Sequence, residues 1–212
     1  MTTATTVLPL SVPQAIAERR SIRRYKPVPI PAEHLDEILR LTSLAPSSVN
    51  TQPWRFVVVQ DPAVQARLQD AAYGQAQVGS APALIVLYTD VADTLASVDE
   101  LIHPGLPAER RPGARQMIEG LFAGRSAQEQ DAFAGTQAGI ALGFLVLAAQ
   151  SLGYASSIMG GFEPEKVREV LDLPAHAAIT ALVAIGIADE AGFPAHRLPL
   201  EQLVRRIGHG PA

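Results

Sequence analysis

Four arginines stand around one serine in the run Arg19-Arg20-Ser21-Ile22-Arg23-Arg24. A guanidinium donates two parallel hydrogen bonds and keeps its charge, so Arg19, Arg20, Ser21 and Arg23 make the donor set that a phosphate group needs. A solvated basic patch is the competing reading of the same residues. A second run, Ala45 to Trp54, places Pro46, Ser47, Ser48, Asn50 and Gln52 ahead of the only tryptophan. Uncharged but rich in hydroxyl and amide groups, it offers neutral hydrogen bonds to a flat polar ligand, although such residues also dominate ordinary turns. In a third run, Ile158 to Pro164, Met159 precedes the pair Gly160-Gly161. Paired glycines at a strand end let the backbone approach a ligand closely, and amides just before a helix can donate to it. Far along the chain, Arg197 in Pro194 to Pro199 either joins the first cluster or sits in solvent.

The remaining composition excludes more than it suggests. The 212 residues include no cysteine, which removes disulfides, thiolate nucleophiles, iron–sulfur ligands and cysteine zinc sites, so redox chemistry here needs a borrowed cofactor. The five histidines show no ligand spacing, and neither a Gly-x-Ser-x-Gly elbow nor a nucleotide-hydrolase phosphate loop is present. A formal charge of −4 gives no basic field for nucleic acid or anionic membranes. The most apolar stretch, Gly139 to Ala149, falls short of the roughly 20 residues that cross a bilayer and reads as a buried helix. Met1 to Leu10 lacks the basic end and apolar run of a secretory signal, so a cytoplasmic protein with a short tail over residues 1–11 is expected.

The elements that must position these residues are legible from periodicity and punctuation. A hydrophobic share of 48% suits one domain with one core, here residues 1–212. Ser11 and Pro13 start a helix that delivers the arginine run. A second helix starts at Pro31, carries Leu35, Ile38, Leu39 and Thr42 at helical spacing, and stops before Pro46. Arg55 to Gln60 reads as a strand, followed at Asp61-Pro62 by a helix start. Ala83 to Thr89 is an unbroken apolar run, hence a strand covered on both faces. Residues 91 to 113 lose clear periodicity among prolines and glycines and read as a flexible excursion. Then follow a helix near Gln116 to Phe122 and a long one from Ala127 to Leu152. The latter aligns Gly135, Gly139 and Gly143 on one side, a surface for close helix packing in a core or between subunits. Ser156 to Met159 reads as a short strand, Pro164 to Leu171 as a helix, Ile179 to Ile187 as a strand, and Leu200 to Ile207 as a closing helix.

In this order and rough spacing, Arg-Arg-Ser-Ile-Arg-Arg-Tyr at 19–25, Ala-Pro-Ser-Ser-Val-Asn-Thr-Gln-Pro-Trp-Arg-Phe at 45–56, the Gly-Gly-Phe segment at 160–162 and Arg197 resemble the nitroreductase family of flavin mononucleotide (FMN) enzymes. The resemblance runs from Val12 to Val204 and fails only in the excursion. It implies an α+β fold in which helices wrap a central, mostly antiparallel sheet, and an intertwined homodimer with two FMN sites at the interface. Carried over by position, Arg19, Arg20, Ser21, Arg23 and Arg197 hold the phosphate and ribityl chain. Pro46, Ser47, Ser48, Asn50 and Gln52 line the ring from the other subunit. The backbone at Met159, Gly160 and Gly161 reaches the flavin nitrogen that carries the hydride.

The chain departs from the family pattern in three places. Gly160 stands where many members have glutamate, Ala195 where they often have lysine, and no asparagine is evident near residue 74, for which Gln75 and Gln77 are the substitutes at the ring edge. The implied activity is hydride transfer from NADH or NADPH to a small-molecule acceptor such as a nitroaromatic or quinone, in a ping-pong cycle with no catalytic side chain. Residues 91 to 113 and the next helix are expected to cover the ring and set acceptor preference, with His103, Arg110, Arg111 and Phe122 as candidates. A specialised flavin dehydrogenase or dehalogenase, and a flavin carrier or sensor without turnover, are the alternatives.

Overall fold

The computed structural model describes residues 10–208. Most of the expected N-terminal tail, and His209, lie outside the described residues. In chain order, helices α1 (Val12–Glu18) and α2 (Ala32–Ser43) precede strand β1 (Trp54–Val59), helices α3 (Pro62–Ala71) and α4 (Ala76–Ser80), and strand β2 (Ala83–Thr89). Helices α5 (Val91–Ala96), α6 (Val98–Leu101), α7 (Arg111–Gly120) and α8 (Ala127–Ser151) follow. Strand β3 (Ala155–Met159), helix α9 (Pro164–Val170), strand β4 (Ala178–Gly186) and helix α10 (Leu200–Leu203) complete the order.

Local chemistry starts several of these elements. The Asp61 carboxylate accepts from the N–H groups of Ala63 (2.7 Å) and Val64 (3.2 Å), and Pro62 takes the first helical position, where no donor is lost. At α8 the Glu129 carboxylate accepts from the Ser126 N–H at 2.8 Å while the Ser126 hydroxyl faces the Glu129 N–H, a reciprocal capping box.

The four strands pair antiparallel throughout in the order β1-β2-β4-β3. Alternation along β2 divides the core. Ile85 points to the side of α2 and α8, with Leu35, Ile38, Leu145 and Val183, while Leu84 and Val86 point to the side of α3 and α9, with Leu68, Val78, Val167 and Leu182. Each such side chain, fully withdrawn from water, contributes roughly 1.5–3 kcal/mol. The fold is therefore α+β, a central antiparallel sheet with helices on both faces, and the expectation that β2 is covered on both sides holds.

Two expectations need correction and a third is narrowed to its subunit alternative. Residues 91–113 are not an irregular excursion: α5, α6, a 3-10 turn at Ala108–Arg110 and the start of α7 fill most of it. The Asp90 carboxylate caps α5 by accepting from the Asp93 N–H at 2.8 Å, and Val98, Ile102 and Ile118 bury one another in a small core of their own. The closing helix spans only Leu200–Leu203 rather than running to Ile207. Finally, a methyl group added at Gly135, Gly139 or Gly143 would meet no atom within 4 Å, so no helix among the described residues packs on that stripe. Helix α8, 25 residues long, has the length and composition of a bilayer span, yet Ala134, Ala138, Ala141, Leu145 and Ala149 are buried within the fold.

Candidate functional site

The arginine run is stitched into the sheet at two points. Ser21 bridges Ser156 of β3 in parallel, with the Ile22 N–H donating to the Ser156 carbonyl at 3.1 Å. Further along, the Lys26 N–H donates to the Ile187 carbonyl and the Asp189 N–H to the Arg24 carbonyl, both at 2.9 Å, just beyond β4. These contacts carry the chain end back over its beginning.

Glu190 tightens that return. Its Oε1 accepts from the Arg23 N–H at 2.6 Å and the Arg24 N–H at 3.3 Å, and its Oε2 from Arg24 Nε at 3.1 Å. The bond from the Arg23 amide, helped by Arg24, holds the Glu190 carboxyl below its ordinary range. Gly192 then lets the strand of chain lie flat. With φ at +69°, a side chain there would be strained, and its first carbon would sit 2.8 Å from Ile22 Cδ1 and 3.1 Å from Arg20 Cβ. The sequence reading missed both residues; an acidic residue and a glycine after a strand carry no signal until the two chain ends are known to meet.

The result is a cavity of about 190 Å³ lined by Arg19, Arg20, Ser21, Arg23, Phe193, Pro194, Ala195 and Arg197. Five sequence-predicted residues, Arg19, Arg20, Ser21, Arg23 and Arg197, thus share one space. Among the described residues, no carboxylate pairs with any of the four guanidiniums. Arg20 Nη1 donates to the carbonyls of Ala17 and Arg19, and Arg197 Nη1 to that of His196. Burial, then the charges of Arg197 and Arg20, push the Arg19 guanidinium below its ordinary pKa. Cations gathered without a counter-charge make a ready anion site.

The second group lies elsewhere in the chain. The loop 46–53 enters β1, whereas the arginine run borders β3, and these are opposite edges of the sheet. Three strand spacings of about 4.8 Å separate them, or about 14 Å. The loop is contorted: Val49, Asn50 and Gln52 all have positive φ, at 50°, 57° and 41°. Residues other than glycine held this way cost of order 1–3 kcal/mol each, and such strain gathers at functional sites. Polar bonds hold the shape. The Ser48 N–H donates to Gln137 Oε1 (2.9 Å), the Gln52 N–H to Ser47 Oγ (3.0 Å), and Asn50 Nδ2 to the Leu101 carbonyl (2.8 Å). Pro46 is exposed at its start, and the Thr51 hydroxyl is buried with no partner among the described residues.

Gly160 and Gly161 end β3, four residues beyond Ser156, or about 13 Å along the strand. That distance suits a ligand whose phosphate sits at the arginines and whose flat end reaches the glycines. A methyl group on Gly160 would meet nothing within 4 Å, so space stands open above it. The Met159 side chain is 3% exposed in the core, leaving only its backbone to offer. Phe122 is likewise a core residue, packed on Phe133 and Val91, not a residue facing the cleft. Gln75 donates to backbone carbonyls rather than into open space.

Comparisons with known proteins bear on the family and the fold. The profile of the nitroreductase family matches residues 16–187. A protein of Thermus thermophilus named NADH dehydrogenase is 50% identical over 195 residues, 92% of this chain and 95% of its own. An oxygen-insensitive NADPH nitroreductase of Helicobacter pylori is 30% identical, covering 82% of this chain and 85% of its own. A crystal structure described as a nitroreductase in complex with FMN, from Exiguobacterium sibiricum, superposes with a TM-score of 0.87 at 29% identity, over 96% of this chain and all of that one. On its profile match, its half-identical relative and its fold, the chain belongs to the nitroreductase family.

Proposed function

We propose that the chain binds FMN in a cleft shared between two copies of itself and passes hydride from NADH or NADPH to a small organic acceptor, a nitroaromatic or quinone, in a ping-pong cycle. The observation that carries the reading is the set of unpaired guanidiniums brought together from both ends of the chain. A phosphate of about −1.5 to −2 charge is the counter-charge they lack. FMN, when bound, supplies the two-electron chemistry that a chain without cysteine does not.

The residues divide the remaining work. Arg19, Arg20, Arg23 and Arg197 neutralise the phosphate while Ser21 donates its hydroxyl. Gly160 and Gly161 keep side chains away from the ring and offer backbone at its reacting edge. Ala195, short where relatives often carry lysine, leaves the phosphate to the arginines.

Two observations support the homodimer. The arginine run and the loop 46–53 are on opposite sheet edges, which favours Pro46, Ser47, Ser48, Asn50 and Gln52 meeting a flavin on the Arg19 side from a second chain. In addition, Val12, Ile16, Leu44, Ile140 and Phe144 are exposed around an apolar groove of about 460 Å³ between α1, α2 and α8, beside the uncovered glycine stripe. A large exposed apolar patch marks an interface.

The test is the visible spectrum of the purified protein without oxygen. A yellow protein that bleaches on adding NADH or NADPH, and recolours on adding a quinone after the oxidised nicotinamide is removed, is expected. A colourless protein that FMN does not reconstitute overturns the reading, and one that stays yellow under both nicotinamides is a carrier instead.

A further inference from the structure

Gln75 opens α4 from the turn Tyr73-Gly74-Gln75, which is itself bent through positive φ at Tyr73 (56°) and Gly74 (73°). Its Nε2 donates to two carbonyl oxygens, Ala72 at 3.1 Å and Gly161 at 2.8 Å, and its Oε1 accepts from Gln77 Nε2 at 3.2 Å. A primary amide has two N–H groups, so both donors are committed to the protein. Next to this bond the Glu163 N–H donates to the Ala71 carbonyl at 2.8 Å. Residues 161–163 are thereby tied to the end of α3, where Leu68, Ala71 and Ala72 are anchored in the core.

The tie matters because of what lies between it and the sheet. Met159 is the last residue of β3 paired to β4, opposite Leu182. The peptide joining Gly160 to Gly161, which carries the Gly161 N–H, hangs between that pair and the Gly161 carbonyl. Two glycines in succession have the loosest backbone in the chain's repertoire, so nothing in their own chemistry sets the direction of that N–H. No acceptor for it is found among the described residues.

We propose that Gln75 is a positioning residue: its carboxamide, by holding the Gly161 carbonyl, aims the Gly161 N–H at the reacting edge of the flavin, and it makes no ring contact of its own. The proposal rests on the flavin reading above. Gln75→Leu removes both donors at similar size, and Gln75→Asn leaves the amide one methylene short of the Gly161 carbonyl.

In flavin-free protein, amide exchange at Glu163, whose N–H is bonded to the Ala71 carbonyl in the same tie, is expected to rise about tenfold in either variant while β4 stays protected. In the loaded protein, FMN affinity is expected to stay within about threefold, since the arginines are untouched. Flavin reduction at saturating nicotinamide is expected to fall about ten- to a hundredfold with little change in nicotinamide affinity, the loss typical of a misaligned donor. Gln75→Glu supplies the rescue: its carboxylate cannot donate to Gly161, its protonated form can, so reduction relative to the wild type rises as pH falls. Unchanged exchange, or a variant that keeps FMN and is reduced at the wild-type rate, overturns the role given to Gln75. A wild-type chain that takes up no FMN overturns the flavin reading beneath it.

Discussion

The cavity between α5, the start of α8 and the loop before β4, which contains Arg168, is roomier than the cleft at Arg19 and Arg23, about 500 Å³ against about 190 Å³. Three of its polar side chains are already engaged. Arg168 donates to the Ala177 carbonyl and the Glu165 carboxylate, His176 Nε2 lies 3.0 Å from Asp90 Oδ1, and Gln130 donates to the Phe122 carbonyl. In the smaller cleft four guanidiniums share one space, and among the described residues none of them is ion-paired with a carboxylate. Like charges assemble only where a rigid backbone forces them together, so the unmet charge, not the volume, is what singles out the smaller cleft as the proposed phosphate site.

The largest effect expected from breaking this contrast is on the cofactor. Replacing Arg19 and Arg23 together with alanine should weaken FMN binding by about a hundredfold or more, since charge-assisted bonds are worth roughly 1.5–3 kcal/mol each. Fluorescence titration measures it, and Arg168→Ala in the roomier cleft should leave affinity within about twofold. Equal losses from the two would erase the distinction.

Gly192→Ala comes next. It strains a residue at φ +69° and presses on Ile22 and Arg20, lifting the arm that carries Arg197. About a tenfold loss of FMN affinity is expected, as strain of this kind costs roughly 1–2 kcal/mol.

A subtler effect is in the pH dependence. Because its folded pKa lies below the ordinary value of 4.5, Glu190 stabilises the flavin-free fold above that value and loses this as pH falls through the depressed one. Urea midpoints should therefore drop less steeply below about pH 4.5 in Glu190→Gln than in the wild type. The slope should not vanish, because Glu37 and Glu129 are depressed as well. The smallest effect is at the other edge of the sheet: Val49→Gly relieves a β-branched residue at φ 50° and should raise flavin-free stability by no more than about 1 kcal/mol.

Much of this was legible before any coordinates, for reasons that differ by residue. Asp61-Pro62, Ser126 and the run Ala83 to Thr89 carry their signals within a few residues, so helix starts and the doubly covered strand could be read directly. The arginine run was legible as chemistry because its residue types are unusual together. Residues 91–113 were not, because helices of four to six residues are held by Asp90 capping and by the Val98, Ile102 and Ile118 contacts rather than by periodicity. Phe122 looked like a lid residue from position alone and is core. Glu190, Gly192 and the Gln75 bond to Gly161 join residues 86 or more positions apart, or depend on such a meeting, and no local pattern encodes them.

If the two borders of the sheet supply different halves of one shared cleft, as proposed, there is a genetic corollary. On that proposal, one polypeptide lacking Arg19 and Arg23, and another damaged only between Ser47 and Gln52, should each be inert when paired with themselves. Co-expressed, they should form mixed pairs in which one pocket draws both sound halves and the other both faulty ones. Activity would reappear from two dead alleles, at no more than half the intact level per pair.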